Sequence, residues 1–212
     1  MSKNRLIFLY VCMMILSVIL VSCDRRSETK RPRDPWVFRS VLDQKPRMVT
    51  VALHDDLYIA YDARSCQLYK AWKGGVIFDG AVYTTNHGPQ PTSKGYAYYT
   101  QPDGNNVWYL VSNGVESEAA PVFQGYYFKD GQVTFRYTIK TESAETISLE
   151  ETPSYERQDG APGLKRIFRV TNLPPDTELK IKTALTNLAG EKNYETNGRL
   201  TISHSQRREI DG

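Results

Sequence analysis

Apolar and polar positions alternate with a period of two along most of this chain, and short polar, proline or glycine breaks interrupt the alternation roughly every ten residues. In LYIAYD the residues Leu57, Ile59 and Tyr61 fall on one face, after a run carrying Met48, Val49, Val51 and Leu53. His54-Asp55-Asp56 between the two runs reads as the polar turn of a hairpin. QLYKAW reads as a short strand stopped by Gly74-Gly75, and VIFDGAVYTT as another, with Gly80 marking a bulge. A long loop is expected from Asn86 to Gly95. The Tyr-, Trp- and Val-rich runs YAYYT and NVWYLVS suit a half-buried pleated surface. Asn113-Gly114 and Asp130-Gly131 mark two further hairpin turns. In the last third TISLEET, LKRIFRVTN, ELKIKTAL and RLTISH repeat the theme, separated by Pro153, Gly160–Gly163 and Leu173-Pro174-Pro175. No long window outside the N-terminus has the period of 3.6 that a helix needs. The pattern predicts an all-β protein, an antiparallel β-sandwich of the large kind, following an N-terminal signal segment.

That segment is the one departure from the alternation. Lys3 and Arg5 precede an apolar run, Leu6 to Val21, too short for a spanning helix and arranged like an export signal. It ends in Leu20-Val21-Ser22-Cys23, which resembles the lipobox of bacterial lipoproteins, in which the cysteine is acylated and becomes the first mature residue. The resemblance implies lipidation at Cys23 and a location in the bacterial cell envelope, extracytoplasmic and anchored by its lipid. Residues 1–22 then read as a lipoprotein signal peptide, 23–35 as a basic tether, and 36–212 as the β-sandwich domain. The chain stops at REIDG with no recognisable closing element, as in a truncated domain.

The formal net charge is +3, and the signal contains two basic residues and no acidic one, so the mature chain is near neutral. This balance argues against nucleic acid as a partner. Of the three cysteines, Cys12 lies in the signal and Cys23 at the lipobox, so Cys66 is left without a disulfide partner and is expected as a small buried hydrophobe on a strand.

Candidate chemistry is sparse. Trp72, Asp79, His87 and Trp108 are the candidate ligand-binding residues: His87 sits in the long loop with Asp79 nearby, and the tryptophans, with Trp36, Tyr96, Tyr98, Tyr99, Tyr126 and Tyr127, have the makings of a stacking platform for sugar rings. The plainer reading of each is a core aromatic or a loop histidine. Paired acid–base groups from His54, Asp79, His87 and Glu151 would support a carbohydrate-active enzyme if two of them shared a cleft. Three scattered histidines, none at metal spacing, give no metal site, and no nucleophile, phosphate or dinucleotide motif occurs.

The stretch from Pro35 to Ser93 is similar to an N-terminal exported module of large bacterial multidomain proteins that carry a downstream c-type cytochrome domain, often beside sugar-related modules. The resemblance covers about the first half of the mature chain and carries no assigned residues. It implies an extracytoplasmic module in an electron-transfer or saccharide-processing assembly, with a cytochrome c domain or partner protein nearby. No C-x-x-C-H occurs, so no cofactor is expected in this chain, and haem c belongs only to a missing downstream domain. The expected function is a membrane-anchored accessory module that binds a saccharide or a partner. The alternatives are the N-terminal fragment of a c-type cytochrome redox protein and an enzyme of large-sandwich fold.

Overall fold

The computed structural model describes residues 35–78, 88–102, 104, 106–141, 145–158, 160–182, 192–195 and 199–205, with Gln158 and the last two stretches described by backbone alone. The chain divides into two units, Met1–Pro32 and Arg33–Gly212, and every described residue belongs to the second. Among the described residues every regular element is a strand and every pairing is antiparallel. The expected all-β, antiparallel sandwich is the observed architecture.

β1 (Trp36–Leu42), β2 (Lys45–His54), β3 (Leu57–Asp62), β4 (Gln67–Ile77) and β5 (Thr92–Thr100) form a five-stranded meander in chain order. The chain then makes the hairpin β6 (Trp108–Ser112) and β7 (Val115–Glu118), and continues through β8 (Val122–Lys129), β9 (Gln132–Lys140), β10 (Thr146–Gln158) and β11 (Ala161–Thr171). β12 (Thr177–Ile181) returns to pair with β6, completing a three-stranded sheet. β13 (Lys192–Glu195) and β14 (Arg199–Ser205) extend the last sheet to six strands, ordered β13-β14-β11-β10-β9-β8.

Turn chemistry explains the hairpins. Asn113-Gly114 and Asp130-Gly131 have positive φ at both residues, as the tight turns that match strand twist require. The turn joining β1 to β2 does the same with Asp43 (φ 49°) and Gln44 (φ 65°), without a glycine. The Asp43 carboxylate anchors that turn to the far side of the sheet, accepting bonds from the Ser93 backbone N–H (2.8 Å), the Ser93 hydroxyl (2.7 Å) and the Tyr69 hydroxyl (3.1 Å).

Several expected boundaries move. Gly74-Gly75 does not stop a strand: β4 runs through both to Ile77, because Gly74 lies directly opposite Gly95 and the two backbones cross too closely for any side chain. The expected loop ending at Gly95 is shorter, since β5 begins at Thr92; Gly80 and Asn86 lie outside the described residues. β10 continues through Pro153, where its partner is β11 only, since its pairing with β9 ends at Glu151. The missing N–H of the proline therefore breaks no rung on that side. Cys66 is buried as expected but sits in the turn before β4, with φ 55°, rather than on a strand.

The inner faces of the five- and six-stranded sheets enclose the main core, with Val49, Val51, Leu57 and Ile59 on one side and Phe135, Ile139, Ile147 and Phe168 on the other. The three-stranded sheet contributes Trp108, Leu110 and Ile181. A second cluster, Leu42, Met48, Ala60 and Trp72, involves the opposite face of the first sheet, so β2 is buried on both faces at its centre.

Two residues break the apolar alternation inside the core. Glu151 continues the buried row Ile147, Leu149 on β10, and Arg166 lies between Leu164 and Phe168 on β11. They meet: Arg166 Nε donates to Glu151 Oε1 at 2.6 Å, Tyr61 donates to the same oxygen at 2.5 Å, and Tyr137 donates to Oε2 at 3.1 Å. The guanidinium also lies 4.9 Å from the Phe168 ring centre and 5.7 Å from that of Tyr61. Burial works to discharge Arg166, but the Glu151 carboxylate and the two phenol oxygens outweigh it and hold the cation. This cluster ties the two sheets together by directional bonds, where apolar contacts alone would permit sliding.

Burial also pushes the Tyr61 and Tyr137 phenols well above their usual range and the Cys66 thiol up to about 12. A folded pKa above the unfolded one gives stability that is complete below the unfolded value and is lost as pH rises through the folded one. The urea midpoint is therefore expected to hold steady near neutrality and to fall progressively from about pH 9 upward, first through the thiol and then through the phenols. A midpoint unchanged to about pH 11 would contradict this assignment.

Candidate functional site

Past Glu151 the inward row of β10 changes from core to surface: Pro153 is buried, Tyr155 half-buried and Arg157 exposed. The facing end of the first sheet does likewise, passing from Leu57 to the His54–Asp56 turn on one strand pair and from Ala71 to Lys73 on β4. The two sheets thus meet at a polar, aromatic rim.

At this rim the His54 and Tyr155 rings stack in parallel, 3.9 Å apart and 2° from coplanar orientation, one from each sheet. His54 Nδ1 accepts the Asp56 backbone N–H at 3.1 Å, which places the neutral ring's proton on Nε2. Asp56 is the electrostatic centre. One carboxylate oxygen lies 2.6 Å from Lys73 Nζ and the other 3.9 Å from Arg157, so cations of both sheets converge on it. The bond from Lys73 holds the Asp56 carboxyl below its usual range, and the same contact raises Lys73. Arg157 Nε in turn donates to the Tyr155 hydroxyl at 3.1 Å.

Two tyrosines complete the rim. Lys73 pairs with Tyr96 across β4 and β5, and the register shift beside Trp72 places Tyr98 as the extra residue of a bulge. The Tyr96 and Tyr98 rings meet edge to face at 5.6 Å, with Tyr98 half-buried against the core and Tyr96 60% exposed. Partial burial raises the Tyr98 phenol, so it remains a neutral donor and acceptor.

The residues singled out from the sequence fare differently. Trp72 and Trp108 are 1% and 0% exposed, so neither offers a face to a ligand. Trp72 stacks on Tyr58 and donates its indole N–H to Gly75 O at 2.9 Å, and Trp108 donates to the carbonyls of Ser65 and Cys66 at 3.2 Å each. Both occupy positions on the buried sides of their strands, where their size fills the two cores. Asp79, His87 and the lipobox Cys23 lie outside the described residues. Glu151 and His54 do not converge: Glu151 is wholly buried, and His54 stacks on Tyr155 four residues further along β10, about 13 Å of extended strand away. Among the described residues no three His, Cys, Asp or Glu side chains gather as a metal site. Asp56 was legible within the His54-Asp55-Asp56 turn, whereas Lys73, Tyr155 and Arg157 escaped the sequence reading because only the pairing of distant strands brings them to it. The aromatic pair within YAYYT was legible too.

Comparison of the chain with known protein families, curated proteins and solved structures yields no match. The rim therefore stands on its own geometry.

Proposed function

We propose that this protein is a lipid-anchored, extracytoplasmic recognition module that binds a saccharide at the rim and performs no chemistry on it. The observation that carries this reading is the exposed Tyr96 ring, braced edge-on by Tyr98 and set opposite Lys73, whose ammonium is held by Asp56. An exposed aromatic face suits the C–H face of a sugar ring, and neighbouring ammonium, guanidinium and carboxylate groups match its hydroxyls. Immobilised cations and a neutral phenol are binding elements.

Anchorage at Cys23, through the tetrad Leu20-Val21-Ser22-Cys23, sets the module in the bacterial envelope and would hold it beside a cytochrome c domain or a saccharide-processing partner. The test has two arms. Palmitate labelling is expected to mark the wild type and not Cys23→Ser. In glycan-array and calorimetric titrations at least one saccharide is expected to bind, and Tyr96→Ala to weaken it about tenfold with no change in Tm, the ring being exposed. Binding of no saccharide, or an unaffected Tyr96→Ala, would remove the sugar reading, and an unlabelled wild type the anchor.

A further inference from the structure

The two faces of β1 carry opposite chemistry. Val37 packs against the main core, and the Arg39 guanidinium lies 5.6 Å from the centre of the Phe123 ring in the six-stranded sheet, so these two residues point inward. Trp36 and Phe38 alternate with them on the outer face, opposite Ala52 and Thr50 of β2. Their rings meet at 5.2 Å, and both are half-buried.

Phe78 joins them from the far side of the sheet. β4 lies three strands from β1, about 14 Å across, yet the Phe78 ring, one residue past the end of β4, meets Phe38 edge to face at 5.1 Å. Beyond the close crossing at Gly74 and Gly95 the chain therefore swings over the outer face. It delivers to β1 a ring that is still 44% exposed. Trp36, Phe38 and Phe78 form one aromatic ledge, a feature that marks an interaction surface.

Covering this ledge would strip water from little charge. Among the described residues, the row beside Trp36 is Ala52, Tyr58 and Trp72, and the row beside Phe38 is Thr50, Ala60 and Lys70. The Lys70 ammonium is already held by the Ser93 hydroxyl at 2.6 Å and the Asp43 carboxylate at 3.4 Å.

The course of the chain says what the ledge meets. Residues 24–35 lead from Cys23 straight into Trp36, span at most about 45 Å when fully extended, and contain five basic residues against three acidic ones. With the lipid anchor proposed above, Trp36 is confined within that reach of a bilayer, by a segment that favours anionic headgroups. Tryptophan and phenylalanine suit the boundary between headgroups and acyl chains, and confinement makes a small contact effective there.

We propose that the ledge of Trp36, Phe38 and Phe78 is a membrane-docking face, which lies against the anionic bilayer that holds the Cys23 lipid. It depends on the anchor and needs nothing from the saccharide rim. The test places the full chain in vesicles of phosphatidylcholine and phosphatidylglycerol in equal parts, with and without bromine on the acyl chains, and reads tryptophan fluorescence. The other two tryptophans, Trp72 and Trp108, are buried inside the protein, so bromine quenching reports Trp36. Quenching is expected in the wild type, with its loss in Trp36→Phe. Phe78→Asp keeps the reporter and is expected to weaken docking about tenfold, read as loss of most of the quenching, with Tm little changed because the ring is so exposed. Vesicles of phosphatidylcholine alone are expected to quench less. Palmitate labelling of the same preparation separates docking from anchorage. A labelled chain with Trp36 unquenched, or equal quenching in Phe78→Asp, overturns the docking face and leaves the anchor standing. An unlabelled chain that is still quenched supports the face and removes the anchor. An unquenched chain that runs as a dimer, split by Phe78→Asp, assigns the ledge to a second copy and overturns the proposal.

Discussion

Replacing Arg166 with leucine is expected to lower the unfolding free energy by about 3–5 kcal/mol, read from urea denaturation at neutral pH. Arg166 is 3% exposed and Glu151 0%, so the change strands a carboxylate among apolar groups with only the Tyr61 and Tyr137 hydroxyls to bond it. Most of the loss is the cost of that uncompensated charge. Adding Glu151→Gln to Arg166→Leu removes the charge and is expected to return about 2 kcal/mol, since a buried pair contributes less than the penalty of breaking it. A single variant that costs under about 1 kcal/mol would show that the cluster does not hold the sheets.

Gly95→Ala is expected to be nearly as damaging, at about 3 kcal/mol or more in the same measurement. Gly95 has φ +119° and a Cβ there would stand 2.0 Å from the Lys73 carbonyl oxygen; its cross-strand partner Gly74 has φ +133° and would meet Lys94 O at 2.1 Å. Both obstacles are backbone, which cannot swing aside as a side-chain tip does. Gly75 supplies the control within the same dipeptide, because nothing lies within 4 Å of its Cβ position. Gly75→Ala is expected to change stability by no more than about 0.5 kcal/mol. Equal effects at Gly95 and Gly75 would mean that the close crossing is not a constraint.

These two sites also show what a sequence of this kind discloses. Alternation around Leu57, Ile59 and Tyr61, and the turn pairs Asn113-Gly114 and Asp130-Gly131, are local consequences of pleat and twist, and the fold class follows from them. Gly74-Gly75 misleads because a glycine has the same letter whether it ends a strand or lets two strands cross. Glu151 was visible as an acid within TISLEET, but the meaning of that acid depends on Arg166 and on Tyr61, ninety positions away. Trp72 and Trp108 pointed towards a binding face and were instead spent on the two cores, since a large apolar ring is worth most where water is excluded, while Trp36 is half-buried against Phe38. The rim tyrosines were legible as aromatics, and their exposure was not, because it is decided by the bulge beside Trp72.

The Glu151–Arg166 contact spans fifteen residues within one hairpin, whereas Tyr61 reaches the same carboxylate from ninety residues away. Closing the longer loop costs about 1.6 kcal/mol more in chain entropy. The expected order of assembly is the hairpin first, its ion pair still hydrated, and the meander docking on it afterwards, with the Tyr61 hydroxyl taking over from solvent as partner to the carboxylate.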